Sequence, residues 1–227
     1  MRTFNWIHLD SSLNSPCGTM QTAGYSLSWL KNTLCALEVM QAQGRNISPY
    51  QLINKAIDKS PPGANNLLFL PYLLGERSPR WNPNAQGAFI GLKMTSAKSD
   101  VYRAVLEGVG YNLKVILDVF DDAVPVEKVI VIGGGAQGKT WLQILSDIWQ
   151  KPLLIPEYLE EATSMGAAIC GGVGIGAFSG FGAASKLNTI QTEILPRKEY
   201  ADTYNKLFAL FNQAYEALAP IYLGLAK

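Results

Sequence analysis

Residues 133–140 read GGGAQGKT and carry the most concentrated chemical signal in the chain. Gly133, four further residues, then Gly138, Lys139 and Thr140 match a spacing with a known use. Backbone amides wrap the phosphates of a nucleotide, a lysine reaches the β and γ groups, and a hydroxyl binds magnesium. Such a Walker A site also needs a second strand ending in an aspartate, and the next apolar segment here runs LLIPE. A second reading takes Gly133, Gly134, Gly135 and Ala136 as a loop bare enough for a nucleotide to lie against backbone. The start of the following helix would then offer amides and a dipole that favour phosphate. A strand-to-helix turn with no ligand accounts for the same residues, so the loop alone leaves three readings open.

Other chemistries find little support. His8 is the only histidine and sits near the chain start, a poor place for a Ser-His-Asp or Cys-His site. Cys17, Cys35 and Cys170 are odd in number and far apart, which fits free thiols and no protein-held metal. With 19 basic and 18 acidic side chains the formal net charge is +1, so no basic field invites nucleic acid. No apolar run approaches the roughly 20 residues that span a bilayer, and no signal core opens the chain. A cytoplasmic chain without nucleic-acid or membrane partners is expected. Its 227 residues, 48% of them apolar, suffice to bury a sizeable core.

The elements around the loop follow from periodicity. Leu27, Leu30, Leu34 and Leu37 predict one helix running to Gly44. Ser48, Pro49 and Gln51 predict a capped second helix, stopped by Pro61, Pro62 and Gly63. Residues 67–74 suit a buried strand interrupted at Pro71, and residues 88–92 a short one. Val101, Ala104, Val105, Val109, Leu113, Ile116, Leu117 and Phe120 mark a long helix. Residues 128–132, KVIVI, predict a buried strand, and Trp141, Leu145, Ile148 and Trp149 the helix after the glycines. A strand at 153–155 leads to TSMGAAICGGVGIG, whose small residues would permit close helix packing. After a Gly, Ser and Asn loop, a last helix from Tyr200 to Leu218 ends before Pro220. Strands alternating with helices give an α/β domain.

Residues 87–107, GAFIGLKMTSAKSDVYRAVLE, resemble the second signature of the FGGY carbohydrate kinases at Gly87, Phe89, Gly91, Leu92, Asp100, Val101, Ala104, Val105, Leu106 and Glu107. The flanks are similar too: FLPYLLGERSPRWNP before it, VIVIGGGAQGKTWLQILSDIWQKPL and EEATSMGAAICGGVGIG after it, and TAGYSLSWL at 22–30. The resemblance implies a ribonuclease H-like, actin-like ATPase fold, with a central mixed sheet flanked by helices. Residues 24–227 would form the C-terminal nucleotide-binding domain, and residues 1–23 the remainder of its first hairpin region. The implied reaction transfers the γ-phosphate of ATP to a sugar hydroxyl, with Mg2+ carried on the phosphates. Xylulokinases are the most similar branch, and a gluconokinase-like relative is the alternative because GER-x-P-x-WN occurs there as well.

Carried onto this sequence, the nucleotide contacts fall on Gly24 and Ser28 and on Gly135 and Ala136, with Gly133 and Gly134 shaping the loop. Lys139 stands where relatives often carry a small polar residue, which creates the Walker A look-alike. Glu76 and Arg77, near Trp81 and Asn82, would face a cleft. The sugar site and the catalytic base belong to an N-terminal domain whose motifs are not found here. A fragment or truncated product is therefore expected, with no catalytic residue of its own and with sugar met only through that domain. A homodimer is compatible with the sequence, and a stand-alone nucleotide-binding module without chemistry is the competing class.

Overall fold

In the computed structural model, which describes residues 2–226, a hairpin of β1 (Phe4–Ile7) and β2 (Asn14–Cys17) leads into three helices. These are α1 (Ala23–Leu34), α2 (Ala36–Arg45) and α3 (Pro49–Ile57). Antiparallel strands β3 (Leu68–Leu70) and β4 (Ala88–Ile90) precede the long helix α4 (Lys98–Asp121). Strands β5 (Val129–Ile130), β6 (Leu153–Pro156) and β7 (Ile190–Ile194) form a mixed sheet in the order β5-β6-β7. The first pair is parallel and the second antiparallel. Helix α5 (Lys139–Trp149) connects β5 to β6, while α6 (Ala162–Gly174) and the short α7 (Ala183–Leu187) precede β7. Helix α8 (Ala201–Leu225) closes the chain and packs on α4, α5 and β3.

Helix α4 is the spine. Of the predicted stripe Ala104, Val105, Val109 and Ile116 are buried and Val101, Leu113, Leu117 and Phe120 partly so. From Tyr102 to Asn112, however, the helix is buried on every side, so the stripe understates its burial. Two glycines let neighbours approach its backbone. A Cβ on Gly108 would lie 2.1 Å from the Phe69 carbonyl oxygen of β3, and one on Gly110 would lie 2.7 Å from Ile148 Cδ1 of α5. Trp149 Nε1 donates to the Gly110 carbonyl at 3.0 Å, fixing the far end of α5.

Two acidic residues of α4 hold the turn at 60–66. Asp100 accepts from Ala97 N–H at 2.9 Å, Ser60 Oγ at 2.6 Å and Asn65 Nδ2 at 2.9 Å. Glu107 Oε1 accepts from Arg103 Nε at 2.6 Å, from Gly63 N–H at 2.9 Å and from Tyr204 OH of α8 at 2.9 Å. The turn needs such anchors, because Ala64, Asn65 and Asn66 all take positive φ (47°, 54° and 64°).

Several elements differ from expectation. The first helix breaks at Cys35, where the Leu34 carbonyl accepts from Tyr102 OH at 2.9 Å and is taken out of the helical ladder. Ser48 precedes α3 in extended geometry but makes no side-chain cap, and Gln51 bonds it through backbone only, at 3.0 Å. The strand at 88–92 ends at Ile90, since Gly91 turns to φ 95°. The segment 128–132 is half exposed, with Ile130 at 60% and Ile132 at 53%, because β5 is an edge strand with one uncovered face. Strand β7 and helix α7 occupy what reads as a polar loop. Helix α8 continues through Pro220, and buried Tyr222 packs near Tyr215 to retain the last turn. The close packing expected of α6 is made at one glycine only: the Phe178 ring lies against Gly172 and leaves no room for a Cβ there, whereas Gly166, Gly171 and Gly174 face open space.

Replacing Gly108 with alanine forces a methyl group onto a carbonyl that cannot swing away. Destabilisation of about 3 kcal/mol, the upper range for overpacked sites, is expected as a lowered urea midpoint with unchanged slope. An unshifted midpoint would show that β3 and α4 are not in close contact.

Candidate functional site

The glycine loop leaves β5 at the end where Val131 N–H still bonds the Leu154 carbonyl at 3.0 Å. Gly133 then takes φ 81° and ψ −177°, a conformation open only to glycine, and its N–H bonds the Leu159 carbonyl at 3.1 Å. A single tight turn spans Gly134–Gln137 and buries Ala136 beneath it. The space beyond Gly133 and Gly134 is open, and beyond Gly135 the nearest atom is Trp141 Nε1 at 3.7 Å. Backbone is thus presented outward directly before α5. Lys139 is exposed at the first position of that helix. Thr140 Oγ1 donates to Asp58 Oδ1 at 2.9 Å, at the end of α3, and Gln137 Nε2 donates to Glu160.

The other predicted contacts lie on α1. Gly24 and Ser28 are four residues apart and share one helix face, Gly24 exposed and Ser28 half-buried. The approach to this helix is tied down by three bonds: Thr19 N–H to Ser78 Oγ at 2.8 Å, Gln21 N–H to Glu76 Oε1 at 3.2 Å, and Thr22 Oγ1 to the Pro71 carbonyl. Helices α1 and α5 both pack against α4, which is the shared support of the two halves.

Glu76 and Arg77, expected together at a cleft, divide. Glu76 is buried at 4% exposure and its carboxylate takes Gln21 N–H, Arg77 N–H at 2.7 Å and Asn112 Nδ2. Arg77 is exposed and stacks its guanidinium 4.8 Å from the Phe4 ring of β1. Burial pushes the Glu76 carboxyl above the usual range, and the three donors pull it back in part. Asn112 had no sequence signal beyond being an amide inside an apolar helix stripe. A cavity of about 390 Å³ opens beside the first turn of α5, lined by Arg103, Thr140, Gln143 and Arg197 among others, and none of the predicted nucleotide residues lines it. Among the described residues no three His, Cys, Asp or Glu side chains stand together to hold a metal ion, and no helix is long and apolar enough to cross a membrane.

A family model describing the C-terminal domain of FGGY carbohydrate kinases matches residues 16–175. The chain belongs to the FGGY family of carbohydrate kinases. A gluconokinase from Bacillus licheniformis is 34% identical over 212 residues, which cover 92% of this chain and 41% of that protein. A xylulose kinase from Staphylococcus xylosus is 32% identical over 201 residues, 88% of this chain and 39% of that protein. The ligand-bound structure of a xylulose kinase from Lactobacillus acidophilus superposes with a TM-score of 0.84 at 25% identity, covering 99% of this chain and 44% of the other. The fold is therefore the α/β fold of FGGY kinases, and the chain spans well under half the length of these relatives. The Thr140 hydroxyl, which a Walker A site needs free for a metal ion, is engaged by Asp58.

Because burial raises the folded-state pKa of Glu76, the folded chain keeps that proton to higher pH than the unfolded chain does. Its contribution to stability is fully present below the ordinary value of 4.5 and is lost as pH rises through the raised value. The stability difference between wild type and Glu76→Gln should therefore move against the wild type as pH climbs from 4.5. Urea melts across that range check this, and a flat or opposite trend would refute it.

Proposed function

We propose that this chain is the nucleotide-binding half of an ATP-dependent, xylulokinase-like sugar kinase. Joined to an N-terminal sugar-binding half, it would serve transfer of the γ-phosphate of ATP to a sugar hydroxyl in the cytoplasm. The observation that carries this reading is the outward-facing backbone of Gly133–Gly135, held open before the N-terminus of α5. The first turn of α5 supplies free amides and the positive end of a helix dipole, which suit a phosphorylated ligand. On α1 Gly24 leaves room beside the helix, and Ser28 offers a hydroxyl one turn further on. Burial of Ala136 fixes the loop from beneath, so the backbone is preorganised before a ligand arrives. Magnesium bound to the β and γ phosphates would neutralise charge developing in transfer. No carboxylate here is assigned as a base, since in-line transfer needs an acceptor hydroxyl held by a second wall.

The sugar is the finer part of the reading. Xylulose is favoured on the signature and flanking loops, and gluconate is the alternative, both named among similar proteins. Phosphorylation of D-xylulose and of gluconate, with and without a supplied N-terminal half, tests both points. The isolated chain is expected to phosphorylate neither. Sugar-dependent ADP release by the purified chain alone would overturn the division of labour.

Two substitutions test the loop. Gly135→Val should fold, because a Cβ there meets only Trp141 Nε1 at 3.7 Å, yet should abolish ADP binding by filling the nucleotide's space. Lys139→Ala should weaken ATP binding by less than about fivefold, the scale of one exposed charge contact. Unchanged titration of Gly135→Val, or a hundredfold loss in Lys139→Ala, would contradict this placement of the nucleotide.

A further inference from the structure

Glu76 stands where three segments meet. Its Oε1 accepts from the backbone N–H of Gln21 at 3.2 Å and of Arg77 at 2.7 Å, and its Oε2 accepts from Asn112 Nδ2 in α4. Asn112 Oδ1 accepts in turn from Tyr72 OH at 3.1 Å, so the amide is oriented with its donor toward Glu76. Gln21 immediately precedes Thr22, the residue that opens α1, and lies three residues before Gly24. The carboxylate therefore sets where the first turn of α1 begins relative to α4. On the other side, Trp149 ties α5 to the carbonyl of Gly110, two residues before Asn112. Both helices that bear nucleotide candidates are keyed to the same half-turn of the spine.

We propose that Glu76 is a positioning residue for nucleotide binding. By holding Gln21 against Asn112 it sets the distance between the Gly24 and Ser28 face of α1 and the glycine loop ahead of α5, without itself touching the nucleotide. The inference rests on the nucleotide reading above. A carboxylate is costly to bury, and packing alone would be served by an apolar side chain. Three converging donors instead give direction and distance.

The bond pattern supplies its own test. Glu76→Ala removes every anchor. Glu76→Gln keeps the Oε1 acceptor but sets one amide donor against that of Asn112. The pair Glu76→Gln with Asn112→Asp restores the pattern, since the introduced glutamine amide would donate to an aspartate that still accepts from Tyr72. The negative charge moves by one side chain and every bond survives.

ADP is titrated into the full 227-residue chain and followed by NMR, with the Gly24 and Ser28 amides reporting on α1 and the Gly135 amide and Trp141 indole N–H on the loop. In the wild type both sets should respond with one dissociation constant. In Glu76→Ala the affinity should fall at least about tenfold, the scale of losing hydrogen bonds to a charged group. The α1 response should disappear while the Trp141 indole still shifts at high ADP, and the double swap should restore both. Wild-type affinity in Glu76→Ala, or a folded double swap that restores nothing, would overturn the proposal. If Glu76→Ala does not fold, weakened binding in Glu76→Gln and its recovery in the double swap carry the same decision. A wild-type response at Trp141 without one at Gly24 would also overturn it, leaving the loop reading intact. Silence at both would instead overturn the nucleotide reading.

Discussion

The contact on which the rest depends is the approach of the Phe69 carbonyl to α4 at Gly108. A backbone oxygen set so close to a helix axis leaves no room for any side chain at that position. The same stretch of α4 accepts α5 at Gly110, so strand and helix converge on one turn of the spine. Close approach of this kind transmits position, because packed interiors yield little when an element is displaced. A loop on α5 and a helix face on α1 can then be held in register without touching each other.

The acidic signature residues spend their carboxylates on the protein's own backbone and side chains. Asp100 and Glu107 each collect three donors, and half of those donors belong to a turn in which Gly63, Ala64, Asn65 and Asn66 run through four consecutive positive φ values. A backbone of that shape is unfavourable by itself and persists only where neighbours over-determine it. Glu107 is wholly buried beside Arg103, and burial drives its carboxyl upward against the pull of that guanidinium and of Gly63 N–H. The arrangement is poor as a source of net stability, since replacing a buried ion pair with apolar residues is often neutral or better. What it provides is a single geometry for residues 60–66, which begin two residues beyond Asp58, the acceptor of the Thr140 hydroxyl.

How far this was legible depends on where the information lies. Helix α4, Val101 to Phe120, and helix α5 after the glycines were readable because each repeats a period that burial imposes, whereas the strand before the glycines was read from its apolar run as buried and is half exposed. The break at Cys35 was not, because its cause is the hydroxyl of Tyr102, 68 positions away from the Leu34 carbonyl it binds. Strand β7 was hidden for a related reason: four of its five residues are exposed, so it lacks the alternation that marks a half-buried strand. Ser48 illustrates the reverse error, a residue type that favours caps and makes none here. At the site, Gly133 to Ala136 were visible as a run of small residues. Asn112 and the inward turn of Glu76 were not, since a single amide in an apolar stripe carries no period.

The glycine loop shows why spacing and chemistry separate. The Walker pattern demands that three side-chain or backbone groups be free at once: amides around the phosphates, a lysine above them and a hydroxyl for the metal. Here the hydroxyl of Thr140 is given to Asp58, Gln137 to Glu160, and the methyl group of Ala136 to the interior. The loop is thereby braced from both ends and from below, and what remains outward is the backbone of Gly133 to Gly135. On the proposed reading, recognition through backbone needs absence of side chains more than presence of any particular one. Three glycines in a row would satisfy that need, and the lysine at the next helix start would then complete the other motif by coincidence of spacing.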